Sequence, residues 1–106
     1  MSEETFNKSA AAIKASANEN IKMTDDELLQ LYSLFKQGTV GDNTTNKPGM
    51  FDFKGKAKWE AWNKVKGKSK EDAQVEYTSL AKSLLEKYNL QKLIDFWLMK
   101  SEFHLI

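Results

Sequence analysis

The stretch Tyr32–Lys66, YSLFKQGTVGDNTTNKPGMFDFKGKAKWEAWNKVK, holds two segments of helical periodicity separated by a cluster of turn-forming residues. Gly38, Gly41, Asp42, Asn43, Asn46, Pro48 and Gly49 break any regular element, so the join is a loop of about a dozen residues, long enough to serve a function or to pack on itself. Tyr32 and Lys36 stand at i and i+4 before the loop, and Lys54 and Lys58 at the same spacing after it, so each pair shares one helix face. Rings and cations one turn apart on both sides of a Gly/Pro-rich loop form a pattern suited to a nucleotide phosphate. The plainer reading is a helix margin whose lysine stems lie along apolar surface. The residues alone leave both open.

Outward from this stretch the pattern stays helical. Thr24 with Glu27 three residues on is a capping box, followed by the periodic positions Leu28, Leu31, Tyr32 and Phe35, which predicts a second helix over about 25–37. Asp52 can cap a third, with Phe53, Ala57, Ala61, Trp62 and Val65 facing inward, the lysines along a margin and Gly67 as its stop. Upstream, Ser2, Glu3 and Glu4 suit a helix start, and Phe6, Ala10, Ile13 and Ala17 give a first helix with one narrow apolar stripe, blurred at its end by Ser16–Asn20. Downstream, Ser69 and Asp72 open a fourth along Ala73, Tyr77, Leu80, Leu84 and Tyr88, with Asn89 as a left-handed stop. The tail LQKLIDFWLMKSEFHLI, 90–106, places Leu90, Leu93, Ile94 and Trp97 on one face of a fifth helix, widened by Phe96, Leu98 and Met99 into a face that something must cover. With no strand candidate, the fold class is an all-α bundle with an extra C-terminal helix.

Composition removes several classes of function. The 106 residues suit one folded unit, and 16 basic against 15 acidic side chains give a net charge of +1, without the overall basic footprint of a nucleic-acid binder. Absence of cysteine rules out disulfides, thiolate zinc sites and cysteine nucleophiles, and fits a reducing compartment. The acidic start MSEETFNK lacks the features of a secretory signal, and no apolar run approaches the ~20 residues of a spanning helix, so the expectation is a cytoplasmic protein that does not cross a membrane.

The words Y-S-x-F-K-Q-x-T-V-G-D from Tyr32, K-P-G-M from Lys47, and F-D-F-K-G-K-A-K-W-x-A-W-N from Phe51 resemble the acyl-CoA-binding proteins almost letter for letter, and the likeness extends over about Phe6 to Leu90. The resemblance implies a four-helix up-down-down-up bundle over 1–89, with 90–106 as an apolar extension. It implies a carrier of long-chain acyl-CoA in the cytosol that catalyses no reaction and needs no cofactor, its ligand bound and not consumed, with lipid-metabolising enzymes as recipients. By the same resemblance the ligand's 3′-phosphate is held by Tyr32, Lys36 and Lys58, adenine lies near Tyr32 and Tyr77, Lys14 lies near the phosphates, Lys54 is a further contact, and Leu28 and Leu29 line the acyl groove. Three positions depart from the family's pattern. Phe35 stands where many relatives have tyrosine, keeping a ring but losing a hydroxyl. Gly38 replaces a small residue usually other than glycine, which should loosen the end of the second helix. The junction Ala15–Met23 is longer than in many relatives and lacks their proline.

Other residues read as structural. Trp59 and Trp62 read as structural in preference to a base-stacking pair, since Trp62 continues the apolar stripe, and Tyr77 alone reads as core more readily than as ligand contact. Lys64, Lys66, Lys68 and Lys70 read as solvated surface, and the K-G-K-S run lacks the first glycine and preceding strand of a phosphate-binding P-loop. His104, the sole histidine, offers neither a metal site nor a catalytic base, and no nucleophile and base are grouped as an enzyme requires. The alternative reading treats the bundle as an interaction module whose amphipathic tail mediates self-association or peripheral docking to a membrane.

Overall fold

Three helices begin where a side chain takes up free backbone amides. Thr24 Oγ1 accepts from the Glu27 amide at 3.1 Å while Glu27 Oε1 accepts from the Thr24 amide at 2.9 Å, closing the capping box in both directions. Asp52 accepts from the Gly55 amide and Ser69 from the Asp72 amide, each at 3.0 Å. The computed structural model describes the backbone over residues 2–105 and side chains over 3–98. It contains α1 (Ser2–Ser16), α2 (Asp25–Thr39), α3 (Phe53–Lys64), α4 (Lys70–Lys87) and α5 (Gln91–Leu105), with no strand among the described residues. Met99 and His104 fall within α5 but outside the described side chains.

Helix directions follow from which ends meet. Phe6 near the start of α1 packs edge-on against Tyr77 in the first half of α4, and Ala12 shares a cluster with Leu85 farther along both helices, so α1 and α4 run parallel. The start of α2 meets the end of α4 where Glu27 accepts from the Lys87 ammonium and the Tyr88 hydroxyl. The end of α2 meets the start of α4 where Gln74 Nε2 donates to Gly38 O at 2.9 Å, so this pair is antiparallel. Helix α3 lies parallel to α2, giving the up-down-down-up order.

The principal core joins Phe6, Leu31, Leu34, Ala73, Tyr77, Ala81 and Leu84. Leu31 and Leu34, rather than Leu28 and Phe35, are the buried stripe of α2, because α4 covers one side of the helix and the site described below occupies the next. In α1 the buried face comprises Phe6, Ser9, Ala12 and Ser16, while Ala17 lies exposed beyond the helix. Small residues there let α1 sit close to α4, and Ser9 and Ser16 donate to the carbonyls of Phe6 and Ile13, so neither hydroxyl is buried unpaired. Phe53 does not face inward: it is 74% exposed, and Trp62 is the buried side chain of α3.

Helix α2 does not loosen at Gly38. It continues to Thr39, and a Cβ at Gly38 would stand 3.1 Å from Gln74 Cγ and 3.2 Å from Phe6 Cζ, so the absent side chain admits α1 and α4 at close range. Asn89 takes φ 60, the left-handed conformation that stops α4. The longer α1–α2 junction is pinned from both sides: Met23 packs on the principal core, Ile21 on a second cluster, and Glu19 pairs with Lys92 of α5 at 2.9 Å.

That second cluster answers what covers the tail. Leu90 and Ile94 join Ala12 and Leu85, and Trp97 is also buried, so α5 lies antiparallel along α1 and against α4. Phe96 and Leu98 stay exposed. No helix among the described residues is long and apolar enough to cross a membrane.

Candidate functional site

Parallel packing of α2 on α3 sets two i, i+4 pairs against each other in crossed fashion. Helix α2 contributes a ring, Tyr32, and one turn later a cation, Lys36; α3 contributes a cation, Lys58, and one turn later a ring, Trp62. Lys58 Nζ stands 5.4 Å from the Tyr32 ring centroid and Lys36 Nζ 5.0 Å from that of Trp62, so each cation lies over a ring of the other helix. Both distances fall within cation–π range. Among the described residues neither ammonium has a carboxylate partner, whereas Lys47, Lys68, Lys87 and Lys92 each pair with an acid.

A cation–π contact at a partly exposed site contributes about 0.5–1 kcal/mol. A charge-assisted hydrogen bond contributes about 1.5–3 kcal/mol, so an arriving anion can draw both ammonium groups off their rings without a net loss. The seam therefore combines two mobile donors with two flat faces.

The remaining sequence-derived candidates divide into three groups. Lys54 stands exposed one turn before Lys58 on α3, and Leu28, half exposed, one turn before Tyr32 on α2. Leu28 and Leu29 part company, for Leu29 lines a depression of about 410 Å³ between α2 and α3 with Ser33, Ala57, Ala61 and Val65. Phe35 packs tilted and Tyr77 edge-on against Phe6, at 5.7 and 5.2 Å between centroids, and the two rings are tilted to each other at 6.0 Å. Phe35 keeps 38% of its surface exposed, whereas Tyr77 keeps 4% and belongs to the core. Burial pushes the Tyr77 phenol up to about 12, so the ring is neutral beside any phosphate at physiological pH. Lys14 is exposed on α1, which packs mainly on α4 and α5, and among the described residues no hydrogen bond or ion pair joins it to the seam.

Loop and turn contacts hold α3 in place. Trp62 Nε1–H donates to Gly41 O at 2.8 Å and Trp59 Nε1–H to Thr45 O at 2.9 Å, while Asn43 Nδ2 reaches Trp59 O at 3.3 Å. Asp42 Oδ1 accepts from the Gly67 amide at 2.8 Å and from Gln37 Nε2 at 2.9 Å, and these bonds, the backbone one foremost, hold its carboxyl below the usual carboxylate range. The α2–α3 loop is thus a self-packed strap. Trp62, read from the sequence as packing alone, also supplies a face of the seam; its signal was the Lys58–Trp62 spacing, a mirror of Tyr32–Lys36. Among the described residues no group of three metal-ligating side chains occurs.

Comparison with known proteins gives this geometry a family. A sequence profile of the family described as Acyl CoA binding protein matches residues 3–81. The chain is 56% identical over 88 residues to the Acyl-CoA-binding protein homolog of Drosophila melanogaster, covering 83% of this chain and 99% of that one. It is 56% identical over 84 residues to Acyl-CoA-binding protein homolog 1 of Caenorhabditis elegans, covering 79% and 94%. The crystal structure of ACBP from Moniliophthora perniciosa superposes with a TM-score of 0.82 at 40% identity, over 92% of this chain and 95% of that one. The chain belongs to the acyl-CoA-binding protein family, a family of binding proteins and not of enzymes.

Proposed function

We propose that the protein binds long-chain acyl-CoA esters in the cytosol, keeps them as an intracellular pool and hands them to lipid-metabolising enzymes. The observation that carries this reading is the crossed seam, two ammonium groups from neighbouring helices, each poised over a ring and without an acid partner among the described residues. A ribose 3′-phosphate with nearly two charges at neutral pH would draw Lys36 and Lys58 together, with the Tyr32 hydroxyl as a further donor. The Tyr32 face suits the adenine, for which stacking on an aromatic ring contributes about 1–3 kcal/mol. Lys54 lies along the same face of α3 for the remaining phosphates, and Lys14 would reach them from α1.

Leu28, Leu29 and the exposed edge of Phe35 are the apolar side chains of α2 available to the acyl chain. At ~0.8 kcal/mol per buried CH₂, ten methylenes contribute roughly 8 kcal/mol before ordering costs, so the hydrocarbon dominates affinity and the clamp selects the headgroup. Residues 1–89 form the binding unit in this reading. Helix α5 is its brace, supported by the burial of Leu90, Ile94 and Trp97 against α1 and α4.

Titration calorimetry with palmitoyl-CoA, free CoA and palmitate tests the division of labour. The expected result is tight binding of the ester, orders of magnitude weaker binding of free CoA and poor binding of palmitate. Comparable affinity for all three would overturn it.

A further inference from the structure

Three large apolar side chains stand almost wholly in solvent where the strap meets α3: Met50 at 73% exposure, Phe51 at 85% and Phe53 at 74%. They lie within four positions of one another and have no place in the core, whereas Phe35, at 38% exposure, still packs on Phe6 and Tyr77. Between positions 50 and 58 three lysines, Lys54, Lys56 and Lys58, face one carboxylate, Asp52, whose oxygen is already engaged by the Gly55 amide. None of the three lysines has an acidic partner among the described residues, and a chain of net charge +1 thus gathers unpaired positive charge around its most exposed rings.

We infer that Met50, Phe51 and Phe53, with Lys54, Lys56 and Lys58 beside them, form a docking edge for the surface of an anionic phospholipid bilayer. A ring exposed to 85% has no protein walls around it, so this is not a pocket shaped for a small molecule or a peptide side chain. A fluid lipid interface accepts protruding rings of any orientation and favours aromatic residues at headgroup depth. Lysines around the insertion point then meet the negative surface of the bilayer, within a Debye length of its charge. The edge adjoins the start of α3, the helix that carries Lys58, so docking would bring the seam to the surface from which amphiphilic molecules enter and leave water. The inference stands without the ligand reading, since it concerns the free protein and lipid.

Flotation of the full ligand-free chain with phosphatidylcholine vesicles, with and without phosphatidylserine, tests it. Binding to the mixed vesicles, weaker binding to phosphatidylcholine alone and release by added salt are expected. The double variant Met50→Ser/Phe51→Ser should lower binding to the mixed vesicles by roughly tenfold or more, since most of the inserted apolar area is gone. Lys56→Glu should lower it by about threefold, in line with the contribution of a lysine near an anionic surface. Both variants should keep the helical circular dichroism spectrum, and the double variant should titrate palmitoyl-CoA in solution as the parent does, which separates failure of this inference from failure of the ligand reading. Undiminished vesicle binding by the double variant overturns the proposal. So does loss of binding only in Phe96→Ser/Leu98→Ser, which would move the contact to α5. Concentration-dependent dimerisation in lipid-free sedimentation that the double variant abolishes would make a second copy the occupant, and also overturns it.

Discussion

Lys87 stands 5.4 Å from the centroid of the Tyr88 ring, and Lys58 stands the same 5.4 Å from that of Tyr32. The two pairs share residue types and distance, though Lys87 and Tyr88 are neighbours in the chain and Lys58 and Tyr32 face each other from two helices, yet one fastens the fold and the other is left open. The difference is Glu27. At the junction of α2 and α4 its carboxylate accepts from Lys87, Tyr88 and the Thr24 amide, and these bonds, that from Lys87 foremost, hold it at about 2. Among the described residues no acid pairs with Lys58 or Lys36. A cation over a ring is therefore no sign of a binding site. The proposed clamp rests instead on two cations, each over a ring of the other helix, that have no acid partner among the described residues.

The strongest way to separate the two regions is to injure the braced side alone. Ile94→Ala, at a side chain 1% exposed, should destabilise the protein by about 2–5 kcal/mol in urea unfolding. The variant, where folded, should bind palmitoyl-CoA as before. A loss of affinity at temperatures where circular dichroism shows full folding would join the two regions that the comparison keeps apart.

The converse injury is smaller. Lys58→Ala should raise the palmitoyl-CoA dissociation constant by the equivalent of about 1.5–3 kcal/mol, with the unfolding midpoint almost unmoved because the lost cation–π contact is weak. Lys87→Ala should show the opposite pattern, less stability and unchanged calorimetry.

Acid should distinguish the regions further. The folded state holds the Glu27 carboxyl at about 2 against an ordinary 4.5, so its stabilising contribution is complete above 4.5 and disappears as pH falls towards 2. In Glu27→Gln that part of the acid dependence should vanish, and thermal melts across this window would show a flatter profile than the parent. Lys87 and Tyr88 are shifted upward by the same carboxylate, so their contribution is present at neutral pH and is lost only as pH rises through their raised values. Trp62→Phe removes the bond to Gly41 O, at about 0.5–1.5 kcal/mol, adds the cost of the space a smaller ring leaves at a buried position, and offers a weaker face to Lys36.

Much of this arrangement was legible residue by residue. Thr24 with Glu27, Asp52, Ser69 and Asn89 act within a few residues of themselves, and each does what its chemistry and position require. The sequence reading failed where a face had to be assigned. Phe53 is expected inward from its spacing to Ala57 and Trp62 but lies 74% exposed, and the periodic face Leu28, Leu31, Tyr32 and Phe35 of α2 divides between core and open surface, because a helix touching two neighbours has more than one kind of side. Leu31 and Leu34 took the core, and the displaced apolar residues became open surface. Gly38 misled for a related reason. Propensity describes an isolated helix, whereas here the missing Cβ is filled by Phe6 and Gln74 from two other helices.

Helix ends, the all-α class and the candidate pairs Tyr32–Lys36 and Lys54–Lys58 were determined by the sequence itself, since they depend on spacings of three and four along one chain. That Lys58 meets Tyr32, that Lys36 meets Trp62, and that Glu27 satisfies Lys87 while no acid among the described residues satisfies the seam were decided only by tertiary structure. Which charges are neutralised depends on distances between helices, and those are fixed by how the whole core packs.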